Sequence, residues 1–245
     1  PTRKIAAQNE IKRNQELLKT NPTARVNRHH QNFLAKWWLL SYPRPELIQK
    51  INTISRYIVC RQVTKRPIFE FISASIRPNA ALIVFSLEDD YSFGILQSNI
   101  HWQWFTNRCS TLKKDFRYTS DTVFDTFPFP QSPTLLQVQQ VAEAAVSLRQ
   151  IRRQIMARNQ WNLRQLYLHL SDILILQQAH DRLDQTVALA YGIEPETEPL
   201  QFLLNLNFQV TAKEANGETI TPPGLPDFVS NRADFISPDC VSMNE

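Results

Sequence analysis

Apolar positions change period twice along this chain. Residues Lys4 to Lys19 are mostly polar and charged, with Ile5, Ile11 and Leu17 among the few apolar positions, which predicts a long surface helix. Arg25 to Leu40 is expected to be partly extended. After Pro43 and Pro45, the run Glu46 to Ile54 places Leu47, Ile48, Ile51 and Ile54 on one helical face. Three β-branched or aromatic runs follow, Tyr57 to Val63, Ile68 to Ser73 and Ala81 to Leu87, separated by charged and proline-bearing turns, and they predict strands. Tyr91 to Arg108 then predicts one helix with Phe93, Leu96, Ile100 and Trp104 on an apolar face. Its polar stripe of Gln97, Ser98, His101 and Arg108 is a candidate for entering a groove.

After Pro133 the spacing is helical throughout. Val138, Val141, Ala145, Leu148, Ile151 and Ile155 recur at helical intervals, as do Leu163, Leu166, Leu170, Ile173 and Gln177. A helix from Asp181 to Tyr191 is expected to end at Gly192, and Leu200 to Leu206 forms another. Short connections predict a small helical bundle. From about Ala212 the chain is polar and carries Pro222, Pro223, Gly224 and Pro226, so a poorly ordered tail is expected. The fold class is α+β, with a mixed domain over 1–130, an all-α domain over 131–210 and a tail over 211–245.

Charge sharpens this division. Residues 1–130 hold 19 Lys and Arg against 10 Asp and Glu, a net of +9, whereas residues 131–245 hold 8 against 13, a net of −5. The front half is the candidate polyanion face, although net charge by itself does not separate DNA from RNA or an anionic membrane. No apolar run approaches the roughly 18 residues a membrane helix needs, and the N-terminal residues lack a signal-peptide core, so a cytoplasmic protein is expected. Cys60, Cys109 and Cys240 are widely spaced and predict neither a disulfide framework nor a metal site.

The segment Ser110 to Pro130, STLKKDFRYTSDTVFDTFPFP, carries the densest candidate chemistry. Lys113, Lys114 and Arg117 surround Asp115, with Phe116 and Tyr118 interleaved, and a Phe-Pro-Phe-Pro run forbids regular helix at its end. An ordered loop could there present cations and rings to a polyanion, lysines positioning phosphates and Arg117 reaching a base edge. A solvated turn accounts for the same residues. Trp37, Trp38, Trp102 and Trp104 suit packing better than base stacking. Arg149, Arg152, Arg153, Arg158 and Arg164 are further candidates for backbone contact or for a solvated helix face.

This segment, together with Asp90 to Phe105, resembles the closing part of the target-recognition domain of single-chain restriction-modification DNA methyltransferases, the Type IIG/IIL (MmeI-like) group. The similarity extends upstream through Arg25 to Leu40 and Pro43 to Lys65, and downstream to about Gln209. It rests on Trp37-Trp38, the Ser-x-x-His of Ser98 and His101, the Leu-Lys-x-Asp-x-Arg-Tyr of Leu112 to Tyr118, and Thr126 to Pro130. The resemblance implies double-stranded DNA as partner. Lys65, Arg66, Lys113, Lys114 and Arg117 are the leading DNA-contact candidates, and Arg56, Arg61 and Arg108 are secondary ones. Ser98, His101 and Tyr118 are expected to support the DNA loop.

Enzymes of that group transfer a methyl group from S-adenosylmethionine to an adenine amine through a Gly-rich motif and an Asn-Pro-Pro-aromatic motif. Neither is present: the nearest string is Asn21-Pro22-Thr23-Ala24, and the four glycines are far apart. The cofactor is therefore expected in a missing domain of the parent, with a separately encoded methyltransferase domain as a possible partner. No catalytic residue is assigned; Glu88-Asp89-Asp90, the one acidic cluster, suits a turn. The sequence is expected to be a C-terminal, split-gene or truncated piece that binds rather than catalyses. The alternatives are a protein-interaction module and a non-functional remnant.

Overall fold

The computed structural model describes residues 2–36, 44–112 and 115–243. They fall into two compact units, Pro1–Gln49 and Lys50–Glu245. The first contains helices α1 (Thr2–Thr20) and α2 (His29–Ala35). The α1 residues Ala7, Glu10 and Asn14 recur at helical spacing and are buried. Glu10 Oε2 accepts the Gln31 N–H at 2.9 Å, and Asn14 Nδ2 donates to the Asn27 carbonyl. The Asn27 side chain also accepts the His29 N–H at 2.9 Å just before α2, a helix within the stretch expected to be partly extended. Trp37 and Trp38 lie outside the described residues. Helix α3 (Pro45–Ile51) starts at a proline, whose missing N–H is not needed in a first turn.

In the second unit, β1 (Arg56–Arg61) runs into the short β2 (Val63–Thr64), followed by β3 (Glu70–Ser73) and β4 (Leu82–Phe85). The antiparallel sheet has the order β3-β1-β4, with Ile58 between Phe71 and Phe85. Five successive residues of β1 are buried, as befits a central strand covered on both faces. Helix α4 (Asp90–Gln97) is capped by Asp89, which accepts the Ser92 N–H at 2.7 Å. The single helix expected over Tyr91 to Arg108 is broken at Ser98, which stops α4 and caps α5 (Asn99–Arg108).

Helix α6 (Leu135–Asn159) opens with a reciprocal Thr134–Gln137 capping box. It crosses α4 closely at Gly94, where a Cβ would stand 2.7 Å from Val141 Cγ1. The helix expected over Leu163 to Gln177 is divided into α7 (Leu163–Leu168), a 3-10 turn at Leu170–Asp172 and the start of α8 (Leu174–Tyr191). The tighter turn reverses the chain so that α8 packs back on α6. Gly192 ends α8 at φ 71°, and α9 (Pro199–Ala215) follows.

The fold is α+β, small antiparallel sheets followed by a helical part. The two pack together within the unit of residues 50–245: Tyr191 Oη donates to the Pro128 carbonyl at 2.8 Å, and Phe127 and Phe129 are buried. The segment after residue 215 is tied down. Leu225, Val229 and Phe235 are buried, and Thr221 exchanges hydrogen bonds with Gln131. Val241 donates to the Phe71 carbonyl and accepts from the Ser73 N–H, both at 2.9 Å, forming a parallel bridge beside β3. Polar composition predicts disorder only on average; a few anchors override it.

Candidate nucleic-acid interface

A second, smaller sheet carries Arg117, and Lys65, Arg66 and Arg108 lie within two residues of its strands. Strands β5 (Ser110–Leu112) and β6 (Asp115–Arg117) join β2 in the antiparallel order β2-β6-β5. The register sets Arg117 opposite Val63 on one side and Ser110 on the other, and Phe116 opposite Thr64 and Thr111. Because side chains alternate across a strand, these two rows face opposite ways. Phe116 packs on Trp102 and Phe105, with ring centroids 6.0 and 5.7 Å away, so its face is the inner one. Arg117 is exposed on the other. The ring of Phe116 therefore serves as backing for the sheet and not as a platform offered to a polyanion.

The same strands bring other cations together. Exposed Arg61 ends β1 and precedes Gln62, whose carbonyl accepts the Tyr118 N–H at 2.8 Å. Exposed Lys65 follows β2 directly. Thr64 Oγ1 closes the adjoining turn by donating to the Arg66 carbonyl at 2.8 Å, and the half-buried Arg66 guanidinium lies 5.8 Å from the Trp102 ring. Arg108, at the end of α5 two residues before β5, is exposed and 4.8 Å from the Trp104 ring. Arg61, Lys65, Arg66 and Arg108 thus stand at or within two residues of strand ends, and Arg117 within β6; Arg66 lies beside Trp102, on the side of the sheet that Phe116 faces and Arg117 does not. Lys113 and Lys114, between β5 and β6, lie outside the described residues.

Behind this sheet is a dry aromatic wall. His101 and Tyr118 are both 0% exposed, and His101 Nε2 is 3.0 Å from Tyr118 Oη. Tyr118 stacks on Phe105 at 5.3 Å and meets Phe85 edge-on at 5.6 Å. His101 is 4.8 Å from Phe127, whose ring points inward. Burial pushes the His101 imidazole down to about 3 and the Tyr118 phenol well above its ordinary range, so both are neutral at physiological pH. Ser98 Oγ accepts the His101 N–H at 3.3 Å and donates to the Ile95 carbonyl at 2.8 Å. Gln97 is also buried, its side chain accepting the Phe69 N–H at 3.0 Å. The polar stripe expected to enter a groove is therefore interior, Arg108 excepted.

Arg56 is likewise removed from the interface. It is 2% exposed, 2.8 Å from Asp90 Oδ1 and 3.2 Å from Asp239 Oδ1, with its guanidinium 3.6 Å from the centre of the Phe71 ring. Arg149 pairs with the same two carboxylates, and Ser237 bridges the group. Burial pushes the Asp239 carboxyl upward, but the Arg149 hydrogen bond and charge prevail and hold it at about 2. Arg152 is buried too and donates to the Phe69 carbonyl at 3.2 Å. Two of the arginines expected on a solvated or DNA-facing helix thus belong to the core. Glu88 accepts from Ser55, Asp89 caps α4 and Asp90 pairs with arginine, so the acidic cluster is structural.

Residues 53–131, which include strands β1 to β6, match the family model described as MmeI, target recognition domain. This segment is thus similar to a target recognition domain of the MmeI type. Over 142 residues, or 57% of the chain, the protein is 29% identical to "DNA methyltransferase A" of Bacillus subtilis (strain 168). It also superposes on a solved structure of the Type IIL restriction-modification enzyme MmeI in complex with DNA, with a TM-score of 0.56, 25% identity and 64% of this chain covered. The chain spans 16% of the Bacillus relative and 22% of the MmeI chain. Among the described residues, no helix is long and apolar enough to cross a membrane.

Proposed function

We propose that this chain is the DNA target-recognition part of an MmeI-like, adenine-specific restriction-modification methyltransferase, and that it binds duplex DNA through the β2-β6-β5 sheet. The observation that carries this reading is the exposed Arg117, held in register between β2 and β5 on a sheet backed by Trp102, Phe105 and Phe116. Such a mounting gives a guanidinium a fixed aim at a base edge, while Arg61, Lys65, Arg66, Arg108, Lys113 and Lys114 supply charge for phosphates. Ser98, His101 and Tyr118 hold the sheet from behind. The alignment with a DNA-bound relative supports this assignment.

Methyl transfer belongs to another part of the parent polypeptide. The residues here do not fit S-adenosylmethionine: Gly94 serves helix packing, Gly192 and Gly217 follow helix ends at φ 71° and 72°, and Gly224 stands alone. No nucleoside-cradling loop remains among them. In the assembled enzyme this part would clamp the duplex and select the sequence whose adenine is extruded. Selection from a random duplex pool tests the reading. Recovery of one enriched motif is expected, and a bound pool with no sequence preference would contradict recognition.

A further inference from the structure

Charge in the first unit is sorted by face. Residues 2–36 contain eight Lys and Arg against two Glu, a net of +6. Of the two acids, Glu10 is turned inward, where its carboxylate accepts the Gln31 N–H at 2.9 Å. Away from the buried Ala7, Glu10 and Asn14, the exposed side of α1 carries Lys4, at its edge, with Gln8, Lys12, Gln15 and Lys19. Their spacing of four, four, three and four residues keeps them in one row, since each step closes about one helical turn. Glu16, the remaining acid, is exposed and adjoins the row, four residues after Lys12 and three before Lys19.

We propose that the Lys4–Lys12–Lys19 row of α1 is a sequence-independent contact for the phosphate backbone of duplex DNA. This rests on the DNA-binding reading above but uses residues outside the matched recognition segment. At a rise of about 1.5 Å per residue the three ammonium groups span roughly 22 Å of helix length. Each DNA strand offers a charge about every 3.4 Å along its axis, so a row this long meets several phosphates without a fixed register. Lysine suits that task, as a point charge on a flexible stem that needs no bidentate geometry. The intervening Gln8 and Gln15 donate hydrogen bonds without adding negative charge. Complementary charge selects a polyanion over another apolar protein face.

The test is duplex affinity of the full chain, on a selected and on a random sequence, across a salt series. Replacing Lys4, Lys12 and Lys19 together by Gln preserves helix propensity. It should make the log-log salt slope shallower by about 0.9 for each phosphate that is no longer neutralised, and weaken binding at 0.15 M salt by up to roughly two orders of magnitude on both sequences alike. The corresponding triple Arg variant should bind as the wild type does, and Glu16→Gln should tighten binding to both sequences. An unchanged slope in a folded Lys→Gln variant that still binds would overturn the α1 contact alone. A weakening confined to the selected sequence would also overturn it. A wild-type chain without duplex affinity at low salt would overturn this contact and the DNA-binding reading together.

Discussion

His101 Nε2 lies 3.0 Å from the Tyr118 hydroxyl, joining α5 to the residue that follows β6 inside a site closed to water. Removing the hydroxyl leaves a buried imidazole nitrogen without its partner. Tyr118→Phe should therefore destabilise the protein by about 1–3 kcal/mol, read as a lowered melting temperature. An unchanged melt would show that the hydrogen bond contributes nothing net.

Acid should act late on this fold. Burial holds His101 and His180 at about 3, below the ordinary 6.5, so these two side chains gain protons on unfolding, and falling pH from 6.5 to about 3 favours the unfolded chain. Asp89 and Asp184 are raised by burial to about 6 from 3.8, so falling pH from 6 to 3.8 favours the folded chain. The two pairs oppose one another across that window. Below 3.8 the histidines act unopposed, and Asp239, held at about 2, destabilises the fold further as it takes up a proton. Thermal melts should be nearly level from pH 6 to 4 and fall steeply below 4. Asp89→Asn keeps a capping side chain but removes one opposing group, so its melts should begin to decline near pH 6; a curve parallel to the wild type would refute this balance.

The C-terminal segment should behave as part of the core. Asp239→Ala leaves buried Arg56 and Arg149 to share Asp90, and removing one partner from such a group costs about 3–5 kcal/mol. Limited proteolysis should spare residues 225–241 in the wild type and cut them early in the variant. Early cutting in both would restore the disordered tail that composition suggests.

Packing of α4 on α6 makes a sharper demand. In Gly94→Ala the new methyl group would meet Val141 Cγ1 at 2.7 Å and the Val141 carbonyl at 3.2 Å, so a destabilisation of about 1–3 kcal/mol is expected by denaturant unfolding. Adding Val141→Ala should recover only part of it, because the carbonyl stays. Full tolerance of Gly94→Ala would show that the two helices separate readily.

The strands and long helices were legible because β-branched runs and helical spacing are local signals: β1, β3, β4, α6 and the Gly192 stop lie close to where periodicity puts them. The break at Ser98 was not legible, since Gln97-Ser98-Asn99 is compatible with continuous helix and only the packing of His101 reveals the second cap. Arg56 has the sequence signature of a surface cation, yet its partner Asp239 stands 183 residues away, a distance no local pattern spans. The same holds for the tail, whose anchors are isolated residues in a polar background. Lys65, Arg66 and Arg117 stand out in the sequence by charge and motif, but the pairing that brings β2 beside β6 does not, because two-residue β2 gives almost no signal.

The most direct measurement of the central claim is the sequence preference of Arg117→Ala, compared with Lys65→Ala on the motif recovered by selection and on a random duplex. If Arg117 reads a base edge, its removal should cost about 1–3 kcal/mol on the motif and little on random DNA, whereas Lys65→Ala should weaken both alike and make the salt slope shallower by about 0.9. Unchanged preference in a folded Arg117→Ala protein would contradict the claim that the β2-β6-β5 sheet is the reading face.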